Sequence, residues 1–206
     1  MRQIYRALCR ALPFAVLVII VPSLSAQTAT PRTAEERRAL YEAHQGDFDY
    51  LLGDWEFTAV SKEHGKYGGR WSAVRLADWA QVLDEFRVLG DSGQTWYVTS
   101  TLRVYNANQD YWELVSIDEG SGLQNLGTAR RVGNEVHITQ RFGVGGPRPS
   151  LSRIRYYDIR PDGFSWTADR STDEGKTWVT NFQQIQTRRI GPGRTLAPLT
   201  SVASNR

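Results

Sequence analysis

From Gly53 onward the chain is cut into short runs rich in Trp, Tyr, Val, Thr and Phe. There are ten: 54–61, 69–77, 80–88, 94–105, 111–118, 123–132, 134–143, 151–159, 163–171 and 177–188. Gly, Asn, Asp and Pro separate them, as in "VGN" at 132–134 and "RPDG" at 160–163. Each run therefore reads as a strand folded back on the previous one by a tight turn. A meander of ten antiparallel strands exposes two edges unless it closes on itself. The expected fold is all-β: an up-and-down antiparallel barrel of about ten strands, occupying residues 48–189.

The remaining segments are read from their own chemistry. "TAEERRALYEAHQG" opens on Thr33 with Glu35 and Glu36 behind it, which predicts an N-capped helix over about 33–45. Residues 27–47 form the lead-in and this helix; residues 190–206, rich in Pro, Gly and Ser, are expected to be a disordered tail. Residues 1–26 read as a signal peptide. Arg2, Arg6 and Arg10 precede the apolar "FAVLVIIV", and "PSLSA" follows it. The apolar run is short for a bilayer span, which needs about 20 residues, so stable membrane insertion is not expected after cleavage. A retained anchor is the alternative. With the signal cleaved, the mature protein would be periplasmic or secreted.

Cleavage changes the charge argument. Of 25 basic residues three leave with the signal, so 25 − 3 = 22 remain against 22 acids. No basic excess is left to hold nucleic acid. The single cysteine, Cys9, leaves as well, so the fold must stand without disulfides. The mature chain has the length of one domain; its oligomeric state stays open.

"STDEGKTW" at 171–178 resembles the Asp-box, S-x-D-x-G-x-T-W, of sialidase hairpins, and "DSGQTW" at 91–96 is a shorter echo. A sialidase needs several propeller blades and an arginine cluster, and this chain is too short for them. The boxes are read as turn chemistry. Asp173, and Asp91 in the echo, would accept backbone N–H groups, Gly175 would take positive φ, and Trp178 would pack back over its turn.

Turns after odd-numbered strands are the longer ones, for example "GVGGPRPS" and "STDEGK". In an up-and-down barrel they share one rim, which is the expected mouth. Strand alternation then nominates an inner wall. Phe57 follows Trp55, and Asp84 and Phe86 follow Val82. Ser100 is placed with Val98, Gln140 with Ile138, Tyr156 with Ile154, Trp166 with Phe164, and Phe182 and Gln184 with Trp178. Such a wall is apolar with a few polar atoms, as small-molecule sites are. The alternative is that these side chains fill the barrel and leave no cavity.

"FDYLLGDWEF" carries a family resemblance. Gly53-x-Trp55 at the start of the first strand, behind a helical segment, resembles the signature of lipocalins and related calycin barrels. That resemblance implies a tryptophan packed at the closed end against an arginine just after the last strand, here Arg188 or Arg189. Residues 48–189 also resemble a bacterial exported family of unknown function with F-D-[FY]-L-x-G-x-W at its front. The chain departs from lipocalins in its ten strands and its lack of disulfides. It departs from nitrobindin-type haem barrels in lacking glycines after G-x-W.

No cofactor and no metal site is expected. His44, His64 and His137 have no ligand spacing, and no G-x-S-x-G elbow, phosphate loop or dinucleotide fingerprint occurs. Three readings remain. The chain is a barrel binding a small apolar or amphipathic ligand. Or it is a barrel isomerase, cyclase or hydrolase, with Asp84 near Arg75 or Tyr156 as acid or base. Or it is a protein-interaction module using Tyr67, Trp71 and the mouth loops.

Overall fold

The computed structural model describes residues 31–76 and 80–196. The signal-peptide segment, most of the lead-in before the helix, and residues 197–206 of the tail lie outside the described residues.

Helix α1, Ala34–His44, begins as its sequence requires. Thr33 Oγ1 accepts the Glu36 N–H at 3.2 Å, and the Glu36 carboxylate accepts the Thr33 N–H at 2.7 Å. This reciprocal box satisfies two N–H groups that the first turn leaves over. A 3-10 turn, Asp49–Leu51, leads into the sheet.

Ten antiparallel strands follow: β1 Gly53–Ser61, β2 Gly65–Leu76, β3 Gln81–Leu89, β4 Thr95–Asn106, β5 Tyr111–Asp118, β6 Gly122–Val132, β7 Glu135–Phe142, β8 Ser150–Arg160, β9 Gly163–Ser171 and β10 Val179–Gly191. Each pairs with the next in sequence. β10 then pairs with β1, from Asp54↔Gly191 to Ser61↔Gln183. That seam closes the barrel and removes the sheet edges over the residues it pairs.

The tail departs from expectation at its start. β10 runs on to Gly191, and β11, Arg194–Leu196, lies parallel to Val74–Leu76 of β2. The reason is a gap in pairing. β1 begins at Gly53 opposite Ala73, so the last residues of β2 have no β1 partner. β11 supplies hydrogen bonds that the bare edge would otherwise lack.

The core sits at the end where β1 begins. Phe48 and Leu51, delivered by the segment after α1, are fully buried there with Trp55, Trp112 and Phe164. Phe48 meets Trp112 edge-on at 4.9 Å, and Trp55 meets Phe164 at 5.0 Å. His44 stacks on Tyr105 at 5.1 Å, and its Nδ1 lies 2.9 Å from Asp47 Oδ2. Asp47 in turn accepts the Trp112 indole N–H at 3.2 Å. The segment between α1 and β1 thus plugs one end of the barrel with packed rings.

The Trp55 seal involves Arg189. Its guanidinium carbon stands 3.9 Å from the centre of the Trp55 ring. The same group donates to Leu52 O at 2.8 Å and Tyr50 O at 3.4 Å. Trp55 Nε1 donates to Leu51 O at 2.7 Å. Arg188, the other candidate, points outward and pairs with Glu56. The two arginines are adjacent on a strand, so only one reaches the plugged side. Gly53 is required by this contact. Its φ is +115°, and a Cβ there would lie 2.5 Å from Arg189 Nη1.

Candidate functional site

Above the plug the barrel is hollow. A cavity of about 750 Å³ extends from Trp71, Asp84 and Tyr156 up to Glu63, His64 and Trp96. The upper residues stand on or beside the β1–β2 and β3–β4 turns. The cavity therefore opens among the turns that follow odd-numbered strands.

The sequence-nominated wall divides three ways. Asp84, Phe86, Gln140, Tyr156, Trp166 and Phe182 all line the cavity. Phe57 faces inward but lies in the packed layer beneath. It is 2% exposed and stacks on Phe86 with ring centres 4.4 Å apart. Ser100, contrary to expectation, lies on the outer face. The inward residues of β4 are Thr99, Thr101, Arg103 and Tyr105, whereas Val98, Leu102 and Val104 stand on the outside.

The inversion on β4 has a physical cause. Leu102 is register partner to Leu83 on one side and Val115 on the other, and Val115 is partner to Leu126. These cross-strand neighbours form an apolar stripe on the outer wall. The inward residues are polar because they have polar partners: Thr101 Oγ1 lies 2.9 Å from Ser116 Oγ. Apolar alternation therefore marked the wrong face. Gln184 is also outward, since a register shift between Val179 and Gln183 brings both Phe182 and Gln183 to the cavity.

Arg103 was invisible as a site residue in the sequence. It is 3% exposed, and its guanidinium forms an ion pair with Asp84, itself 2% exposed. Asp84 Oδ1 also accepts the Trp71 indole N–H at 2.9 Å. Arg75, the partner suggested by sequence, is elsewhere; it donates to Gln45 O at 3.0 Å and pairs with Asp49. The Arg103 guanidinium carbon also stands 5.3 Å from the Phe48 ring centre, tying the cavity floor to the plug. A paired charge is the only kind a dry interior tolerates well. Burial pushes the Tyr156 phenol up, with Arg103 offsetting part of that rise. Burial pushes Tyr50, beneath it, well up, and neighbouring Tyr156 adds to the effect.

At the mouth, Arg170 donates to Glu63 Oε2 at 2.8 Å and stacks over Phe182 at 4.9 Å. This links the β9–β10 edge of the opening to the β1–β2 hairpin. Tyr67 is raised to about 12 by burial. Its hydroxyl accepts an N–H of Gln183.

The Asp-box hairpin stands on the same rim. Asp173 accepts Thr177 Oγ1–H at 2.6 Å, Thr177 N–H at 2.9 Å and Ser171 Oγ–H at 2.8 Å. These bonds, led by the Thr177 hydroxyl, pull its carboxyl down to about 2. Gly175 has φ +86°, and Trp178 Nε1 donates to its carbonyl at 3.0 Å. Arg153 caps the Trp178 ring at 3.5 Å. The echo at 91–96 works differently. Asp91 is exposed, and the turn is held by Gly90 N–H to Gln94 O at 2.8 Å and by Ser92 bonding the Gln94 side chain. The spacing from acid to Trp is the same, D-x-G-x-T-W, but the echo has Leu89 where the true box has Ser171. Ser171 Oγ donates to Asp173 and accepts the Gly175 N–H at 2.8 Å, so the echo lacks the residue that ties the acid to the turn.

Trp71 is 4% exposed and packs edge-on to Phe86 at 5.2 Å. It belongs to the core and not to a surface contact patch. His64 is at the mouth, and His137 is on the outer wall with its Nε2 2.7 Å from Glu135 Oε2. Among the described residues no group of three or more His, Cys, Asp or Glu converges on a possible metal position. No protein-family model matches the chain, and no curated protein matches it in sequence.

Proposed function

We propose that this chain is an exported, lipocalin-like barrel that binds a small amphipathic molecule inside the tube, entering through the loop-rich rim. The observation that carries this reading is the cavity of about 750 Å³. Its size falls in the range of ligand pockets, roughly 300–1,000 Å³. Its aromatic lining, interrupted by a few polar atoms, supports an amphipathic guest. The export part of the reading rests on the basic and apolar N-terminal segment. The lipocalin-like part rests on Gly53, Trp55 and Arg189 at the closed end.

Binding is favoured over catalysis by Asp84. Both of its carboxylate oxygens already face donors, the Trp71 indole and the Arg103 guanidinium. A general base needs a lone pair within reach of the substrate proton.

The test is uptake of the neutral fluorophore N-phenyl-1-naphthylamine. Fluorescence should rise on binding, and W166A and F182A should weaken the affinity while melting cooperatively. Equal affinity in wild type and both variants would remove the cavity from the account.

A further inference from the structure

The lining is not uniform around the tube. On β4 to β8 neutral hydrogen-bonding groups, Thr99, Thr101, Ser116, Asn125, Gln140 and Ser150, alternate with apolar ones such as Ile138, Phe142 and Ile154. On β9, β10, β2 and β3 it carries Trp166, Phe182, Trp71, Phe86 and Val88. Ser61 and Gln183 also reach the cavity on the aromatic side, but both are occupied. Ser61 Oγ accepts the Glu63 N–H at 3.1 Å, and Gln183 donates to the Tyr67 hydroxyl.

On the polar side, two buried neutral groups are left over. Asn125 Oδ1 and Ser150 Oγ make no hydrogen bond, although the residues are 8% and 3% exposed. They flank Phe142 on adjacent strands, because Asn125 and Ser150 are both register partners of that residue. A buried polar atom without a partner is unfavourable, and a guest with matching polar atoms relieves it.

The charges set a further condition. Arg103 is paired with Asp84 and Arg170 with Glu63. Each cation that reaches inside already has its carboxylate. An ionic head would be desolvated beside an opposing group of its own sign. Lys66 and His64 stand only at the exposed entrance, where solvent and salt screen them.

Resting on the binding function proposed above, we infer that the guest is an uncharged, flat ring compound with hydroxyl or carbonyl oxygens along one edge. Its ring packs against the aromatic side of the tube, and its oxygens meet Asn125, Ser150 and the neighbouring hydroxyls.

Three probes competing with N-phenyl-1-naphthylamine test this. They are genistein at about pH 6, where its phenols are largely protonated, pyrene as a flat ring without oxygen, and oleate as an anionic chain. Genistein should displace the fluorophore at least about tenfold better than either. S150A and N125L should each weaken genistein about fivefold, the order expected for one hydrogen bond, and leave pyrene unchanged. Retained pyrene binding shows that those variants still fold. Stronger displacement by oleate, or genistein binding indifferent to both substitutions, overturns the inferred class while the barrel remains a binder. Failure of the fluorophore and all three probes to bind overturns the proposed function with it.

Discussion

Trp55 and Arg189 are register partners across the seam that closes the barrel, and the guanidinium of one covers the indole of the other at 3.9 Å. A single contact therefore joins the first strand to the last and holds the segment that plugs the floor. R189A should lower unfolding free energy by about 2 kcal/mol, combining a partly desolvated cation–π contact with lost bonds to backbone carbonyls. R189K should recover part of this, since an ammonium lacks the planar fork. R188A should cost less than about 1 kcal/mol, because its pair with Glu56 is exposed. Urea denaturation of the three variants checks the order.

Asp84 and Arg103 stabilise one another only as a pair. D84L or R103M alone leaves an uncompensated buried charge and should destabilise by about 3–5 kcal/mol. The double variant D84L/R103M should be more stable than either single variant, because it removes both charges from the floor. A double-mutant cycle in urea measures the coupling directly.

The Asp173 carboxyl is drawn from its ordinary 3.8 to about 2 by the hydrogen bonds of its hairpin. A depressed folded-state pKa contributes stability that is present above the unfolded value. That stability is lost as pH falls through the folded one. Wild-type stability should accordingly decline between about pH 4 and pH 2. D173N should be less stable at neutral pH and show a shallower decline over that interval, as read by urea midpoints at each pH.

Alkaline behaviour follows from the tyrosines. Burial raises Tyr50, Tyr67, Tyr97, Tyr105 and Tyr156 above 10, with Tyr67 reaching about 12. Tyr97 is raised further by Asp118, whose carboxylate its hydroxyl bonds at 2.9 Å. A raised folded-state value gives stability that is complete below the unfolded pKa and lost as pH climbs through the folded one. Stability should fall from about pH 10 upward. Tyrosinate absorbance of these five should appear together with loss of the sheet signal in circular dichroism.

Architecture was legible in the sequence because it rests on local chemistry. Turn residues and β-rich runs placed ten strands close to their observed bounds, and the Thr33 cap placed the helix. The β11 addition was not legible: it depends on β1 starting opposite Ala73, which is a matter of register. The wall was partly legible. Where the interior is apolar, alternation chose the right face, as for Phe86, Gln140 and Trp166. On β4 the interior is polar and the exterior carries a leucine and valine stripe, so the same rule chose Ser100 over Thr99 and Thr101. Arg103 escaped for a related reason. An arginine reads as surface until a buried carboxylate is known to stand opposite, and Asp84 lies on a different strand.

The central claim is that guests occupy the hollow above the plug, and two tryptophan substitutions test it most directly. Ser152 lines the cavity and Ser100 stands on the outer wall. S152W should fill the space and abolish N-phenyl-1-naphthylamine binding, whereas S100W should bind as the wild type does. Undiminished binding by a folded S152W, or equal loss in both variants, would contradict a site inside the barrel.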